Sequence, residues 1–487
     1  MERIKTWFTS KIRYFWGNWI CAAGSVLSVT IVILMLIMLG LFVANELLGR
    51  HSNPYLDLVA FMMLPAFLIL GILLVLLGNY VRKRREKQGI VTQYAPDLGG
   101  TVLVRKVAMV AVAGLIVLVG FGTFSYEAYH FTDSNQFCAH VCHTVMTPEA
   151  TAYANSPHSN VPCVKCHIGP GASWFVRAKL SGLRQVVAVA TNSYSRPIPA
   201  PVENLRPARE TCEVCHRPSQ FHGSRLAVKK HYGRDRDNTE AITANLLYVG
   251  GPDSGKGKAT GIHWHVDPGN SIRYRHLDEE RQEIVEVVLT TDAGEIHYLR
   301  SGEEVEPDEG QWRTMDCVDC HNRPTHIYEL PVAAVDEAMA AGKLDHSIPY
   351  LKREAVRVLE EVSPTENTAA AVSARLMAIY TTEHPDDLEA IRADLGSTSS
   401  VLAGIIDRNI FPEMNITWGT YASNLGHFDV EGELDESGCF RCHDDELEAD
   451  TGATITQDCD LCHNLLAHEE TDWEGLPGVD TSELFAR

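Results

Sequence analysis

Spare cysteine is almost absent from this chain. Of thirteen cysteines in 487 residues, twelve stand in six close pairs and only Cys21 is left over, inside an apolar run where it reads as a small buried hydrophobe. No thiols remain for a disulfide framework, so the compartment has to be read from topology. Positive charge is scarce beyond residue 130, where 30 Lys and Arg face 57 Asp and Glu; residues 1–130 hold 12 and 6. Such acidity disfavours nucleic acid and favours a basic or locally basic partner, through association rate more than affinity. The same charge also serves simply to keep a soluble domain dispersed. No small-residue cleavage site promptly follows the first apolar stretch, which argues for an uncleaved anchor over a signal peptide. A phosphate-binding loop is missing too. Gly250 to Lys256 nearly matches G-x-x-x-x-G-K, but Gly257 occupies the Ser/Thr position and no helix pattern follows.

What is present is a set of cysteine pairs, each followed directly by histidine. Five read C-x-x-C-H: Cys163, Cys166 and His167; Cys212, Cys215 and His216; Cys317, Cys320 and His321; Cys439, Cys442 and His443; Cys459, Cys462 and His463. The first, Cys138, Cys142 and His143, has one extra residue between its cysteines. A lone C-x-x-C suits zinc or a redox disulfide, but histidine after all six pairs is the signature of c-type haem. In that chemistry two thiols form thioethers with the porphyrin and the histidine binds iron. Six covalently bound haems are expected.

Three apolar segments, about Trp19–Leu48, Asp57–Tyr80 and Val107–Phe124, each approach or exceed the roughly 18–20 residues that cross a bilayer as a helix. Tyr14, Phe15, Trp16 and Trp19 form an aromatic belt at the first. Basic residues crowd the N-terminal tail and the second connection, Arg82 to Lys106, while the first connection has only Arg50. The positive-inside rule then puts the N-terminus in the cytoplasm and everything after the third helix outside. The expected fold class is a membrane-anchored multihaem cytochrome c. Three transmembrane α-helices carry a mainly α, loop-rich extracytoplasmic haem domain with a small β insertion. The expected divisions are a membrane anchor at 1–130, a first haem domain at 131–231, a β-rich insertion at 232–310 and a C-terminal haem domain at 311–487.

Within this frame, Gly171–Ala190 interleaves aromatic and aliphatic residues with Arg177, Lys179 and Arg184. That pattern suits a helix in the membrane interface, or a packed surface helix. A proline-rich strip from Pro197 to Pro207 follows, expected to be extended. Alternation over Ile284–Thr290 and Glu295–Arg300, with Asp292, Ala293 and Gly294 between, predicts a β-hairpin. Pro331–Val362 and Thr365–Thr382 read as amphipathic helices, and the acidic C-terminal tail as irregular. For the second axial ligands the candidates near motifs are Met146, His158, His222, His231, His326 and His427, followed by His140, His263, His265 and His468. His263 and His265 flank Trp264, so on a strand both would share one face, as a ligand pair or a small metal site.

The run from Phe137 to Pro218 resembles the NapC/NirT family of membrane-anchored quinol dehydrogenases. It has a first motif followed closely by methionine, the triplet Ser156, Pro157 and His158, a second motif, a basic amphipathic helix and a third motif. Weaker likeness to the larger inner-membrane cytochromes of metal-reducing bacteria extends to about residue 468. The resemblance implies quinol oxidation at haem 1, with Met146 matching the iron-binding methionine and Lys179 a lysine of the quinol pocket, beside Arg177. This chain departs in having three apolar segments, the wider first motif, methionine three residues after His143, and Gln185 and Val186 where an acidic residue is expected.

Together these features lead to a bacterial inner-membrane cytochrome that takes electrons from the membrane quinone pool to an extracytoplasmic cytochrome or reductase. The alternatives are a terminal reductase of a small oxyanion, and an electron-transfer subunit of a larger respiratory complex.

Overall fold

The computed structural model describes residues 19–47, 64–89, 112, 120, 122–124, 126–141, 143–169, 172–202, 206–217, 221–252, 259–302, 309–427, 437–473 and 475. Cys142, most of the third apolar segment, most of the Gly250–Lys256 stretch and the end of the acidic tail lie outside them, as do the side chains of His143 and Thr144. The chain forms two compact units, one of residues 1–133 and 170–177, the other of residues 134–169 and 178–487.

In the first unit, helix α1 (Trp19–Leu47) packs against helix α2 (Leu64–Lys87). Small residues bring the two backbones together. A Cβ on Gly24 would lie 2.7 Å from the Gly71 carbonyl oxygen, and one on Gly78 would lie 2.6 Å from Cys21 Sγ. As α1 advances from Cys21 to Ser28, its neighbours on α2 run back from Gly78 to Gly71, so the pair is antiparallel. Leu36, Leu73 and Leu76 face outward and are exposed. Among the described residues, no helix is long and apolar enough to cross a membrane.

The second unit contains all six cysteine–histidine motifs. Helix α3 (His143–Ala154) follows the first motif, and helix α4 (Ala172–Ala190), whose first turns belong to the first unit, follows the second. Two antiparallel sheets come next. Strands β1 (Arg225–Tyr232) and β2 (Glu240–Leu247) take a third partner, β8 (His463–Glu470), in the order β1-β2-β8. Strands β3 (Ser271–His276), β4 (Ile284–Thr291), β5 (Gly294–Arg300), β6 (Gln311–Thr314) and β7 (Leu447–Ala449) form the order β6-β3-β4-β5-β7. The expected hairpin is β4–β5, with Glu286 opposite Leu299. Ile272, Tyr274, Ile284, Val287 and Leu447 close the core of this larger sheet.

Two expectations change here. The β-rich stretch at 232–310 is not closed on itself, because β7 and β8 arrive from beside the last two motifs to finish its sheets. The chain after His463 is also not irregular throughout, since β8 begins at that histidine and pairs with Leu247. Free edges of β2 and β5 attract distant strands, which local sequence patterns do not reveal.

Between the fourth and fifth motifs lies a helical core without haem motifs. It comprises α5 (Pro331–Ala340), α6 (Leu351–Glu361), α7 (Thr368–Glu383) and α8 (Leu395–Asn409). Pro331 occupies the first turn of α5, where its missing N–H costs nothing. Asn367 caps α7 by accepting from the Ala370 N–H. Helix α6 buries Leu351, Ala355, Val358 and Leu359, spaced as one helical face, against Leu376 and Ile379 of α7 and Leu402 and Ile406 of α8. The proline-rich strip is tied down by its carbonyls: Ile198 accepts from Tyr421 Oη at 3.0 Å and Arg196 from Asn415 Nδ2 at 3.1 Å.

Candidate functional site

Attachment of one porphyrin needs both thiols on the same side of the backbone, and the described motifs sit on tight turns. In Cys163–His167 and Cys317–Cys320 a helical turn does this, since residues three apart share a face. Gly438–Arg441 and Cys459–Leu461 use 3-10 turns. The irregular first motif runs through a π-helical turn, Phe137–Val141, whose wider winding suits one additional residue.

Polar contacts hold the first turn to the second, and the third and fifth turns to the fourth. The Cys163 N–H donates to Asn135 Oδ1 at 3.0 Å, tying the second motif to the first. The third turn meets the fourth through the Ala208 N–H and Asp316 Oδ2 at 3.3 Å. The buried Arg441, in the fifth motif, donates to the carbonyl of Asp319, in the fourth, at 2.8 Å. Asp319 itself is buried. It accepts from Arg313 Nε at 2.6 Å, Tyr274 Oη at 2.5 Å and the Asp316 N–H at 2.7 Å, so the fourth turn is clamped to β3 and β6. Charge-assisted bonds of this kind are what make a buried carboxylate tolerable.

The histidines show a second regularity. Two imidazoles bound through Nε2 to opposite faces of one iron, at metal–nitrogen bonds of about 2.0–2.1 Å, hold their ring centres about 6 Å apart. Five motif histidines face another histidine at that spacing: His167 and His326 at 6.1 Å, His216 and His158 at 5.9 Å, His321 and His263 at 6.5 Å, His443 and His265 at 5.8 Å, His463 and His427 at 6.2 Å. Nδ1 contacts fix several of these rings. His158 is held by the Pro324 carbonyl at 3.1 Å, His263 by Val249 at 2.9 Å, His265 by Ile262 at 2.8 Å and His443 by Thr456 at 2.9 Å. With Nδ1–H donated to a carbonyl, Nε2 keeps its lone pair for a metal. Burial holds His167, His265, His321 and His427 below the ordinary imidazole range, favouring the neutral form that ligates. The residues therefore fit haem on the ligand chemistry alone.

His263 and His265 do not form one ligand pair. They lie on a 3-10 turn, Ile262–Val266, where residues two apart point apart, and each faces a different motif. Gly261 starts that turn with φ +70°, and a Cβ there would strike the Tyr248 carbonyl. The strand assumption hid this arrangement. Its only sequence signal was the glycine before the histidines.

His231 is drawn elsewhere. It lies on β1 with Nδ1 3.7 Å from Asp336, and no motif histidine among the described residues is placed against it. His222 is exposed in the loop before β1. Met146 is half-buried on α3, and His468 is exposed on β8. On α4, the Arg177 guanidinium lies over the Trp174 ring at 5.1 Å and is exposed, while Lys179 is half-buried. Two residues along a helix turn about 200°, so Arg177 and Lys179 do not share a face. Lys179 falls within the exposed apolar stripe of Val176, Leu180, Leu183 and Val186.

Glu149 was not anticipated. It is one turn beyond Met146 on α3, and its carboxylate meets Arg323 Nη2 at 3.2 Å and His326 Nδ1 at 2.9 Å.

A chain of c-type motifs with paired imidazoles defines a multihaem cytochrome of the electron-transfer class. Residues 102–198 match the N-terminal region of the NapC/NirT cytochrome c family. Over 438 residues, 88% of this chain and 84% of its relative, the sequence is 38% identical to cytochrome c-type protein ImcH of Geobacter sulfurreducens. The chain belongs to the NapC/NirT cytochrome c family. No solved structure matches it.

Proposed function

We propose that this cytochrome oxidises membrane quinol beside its first motif and delivers electrons singly to an extracytoplasmic cytochrome or reductase. Six covalently bound haems would supply the one-electron carriers. The first would be held by Cys138 and Cys142, its iron bound by Met146 or His143 with the other side open or weakly bound. The other five would be held by the paired histidines, in the order His326, His158, His263, His265 and His427 from the second motif to the sixth. The observation that carries this reading is the pairing itself. Five motif histidines each face a second histidine, as six-coordinate carriers require.

Quinol oxidation releases two protons with its electrons, so the site needs an apolar approach and polar groups for the hydroxyls. Lys179 within an exposed apolar stripe offers both, its stem lying along apolar surface and its ammonium reaching a hydroxyl. The apolar sequences of α1 and α2, with leucines turned outward, support lodging in the cytoplasmic membrane with three spans and the N-terminus inside. Such an arrangement places the haem side with the periplasm. The terminal-reductase alternative needs a distal iron with an open position, and the five histidine pairs favour carriers instead.

The test is reduction of the purified holoprotein by a reduced quinone analogue, followed at the haem absorbance. Lys179→Ala should slow it strongly; an unchanged rate removes the quinol site assigned here.

A further inference from the structure

Among the paired histidines, His326 has unusual surroundings. His158, His263, His265 and His443 direct Nδ1 at backbone carbonyls, which are neutral acceptors. His326 Nδ1 also lies 3.1 Å from a carbonyl, that of Glu149, but the carboxylate of the same residue is nearer, at 2.9 Å. The carboxylate is held in place. Arg323 Nη2 reaches its two oxygens at 3.2 and 3.3 Å, and Tyr328 Oη donates to Oε1 at 3.5 Å. Arg323 is fixed in turn by its Nε bond to the His326 carbonyl at 2.6 Å and by the Tyr421 ring, 3.9 Å away.

We infer that Glu149 is a positioning residue that orients His326 and lowers the reduction potential of the second haem, making it more reducing than its ligand pair alone would. The Glu149 carboxylate, an ion-pair partner 2.9 Å from Nδ1, sets negative charge beside the imidazole, which makes the ring a stronger donor and favours ferric over ferrous iron. Arg323 offsets part of that charge while keeping the carboxylate aimed. The inference rests on the proposed His167–His326 ligation.

The experiment is a potentiometric titration of the six-haem protein with the low-spin signals resolved by electron paramagnetic resonance. Glu149→Gln keeps an acceptor of the same shape and removes the charge. One haem signal should move to higher potential, by about a tenfold change in its reduction equilibrium or roughly 59 mV for one electron, while the other five hold. Glu149→Asp should restore most of the shift. The moving signal is identified with His326→Met, because methionine ligation raises the potential of the same iron. If Glu149→Gln leaves all six potentials in place, or moves a signal other than the one His326→Met moves, the inference is overturned. If His326→Met itself changes nothing, the ligand assignment beneath it is what fails.

Discussion

His263 and His265 stand two residues apart on a single 3-10 turn, yet their rings face different motifs, His321 at 6.5 Å and His443 at 5.8 Å. One short turn thus bridges the fourth and fifth motifs. The buried Arg441 joins the same two from the other direction, through the Asp319 carbonyl.

Loss of either histidine should therefore affect one haem. His263→Ala should convert the fourth haem, and His265→Ala the fifth, from low-spin to high-spin. Gly261→Ala should disturb both, since a Cβ there meets the Tyr248 carbonyl. Optical and paramagnetic spectra count the converted sites; conversion of the same haem by both histidine variants would contradict the assignment.

On the quinol site proposed above, Lys179→Ala should lower the rate of reduction by a quinol analogue by about 10- to 100-fold, as expected when a charged hydrogen bond worth roughly 1.5–3 kcal/mol is lost. Arg177→Ala should matter much less, because its guanidinium lies over Trp174 on another side of the helix. Stopped-flow absorbance separates the two. Equal effects would point to general damage to the helix.

Electron delivery should depend on salt. Exposed Asp458, Asp460, Glu469 and Glu470 surround the sixth motif, near exposed Leu461 and Leu465. Transfer from chemically reduced protein to a lysine-rich soluble cytochrome should slow by roughly tenfold or more as ionic strength rises, because steering is screened. An acidic acceptor of similar potential should show the opposite trend.

The helical core offers a stability test. Lys352 is buried, with Nζ 2.5 Å from Asp336 and 2.6 Å from the Val332 carbonyl. Lys352→Ala should cost about 3 kcal/mol by removing the cation from the buried Asp336 carboxylate, which keeps only the Tyr232 N–H at 3.1 Å and His231 at 3.7 Å. Burial lowers the Lys352 pKa below its ordinary 10.5, against the opposing pull of Asp336. Between the lowered value and 10.5 the unfolded chain holds a proton that the folded chain has shed, so this residue's contribution to stability rises with pH across that window. Thermal unfolding of wild type and Lys352→Met over alkaline pH should show the wild type gaining relative to the variant.

The chemistry of the motifs was legible in the sequence because haem attachment is local. Two thiols and a histidine within one turn are enough to define it, and six copies leave little room for another meaning. The β4–β5 hairpin and helical character within Pro331–Val362 and Thr365–Thr382 were legible for the same reason, being set by periodicity and turn residues over a short span, although the first span breaks into α5 and α6 and α8 was not foreseen. What the tertiary structure alone decided is which histidine meets which motif. His326 reaches back to His167 and His265 forward to His443, across stretches of chain in which no periodic pattern links them. Such pairs are fixed by the packing of whole elements: the sheets completed by β7 and β8, the 3-10 turn after Gly261, buried Asp319 and Arg441, and half-buried Glu149. Their side chains hold single geometries because a buried charge is stable only when every partner is in place.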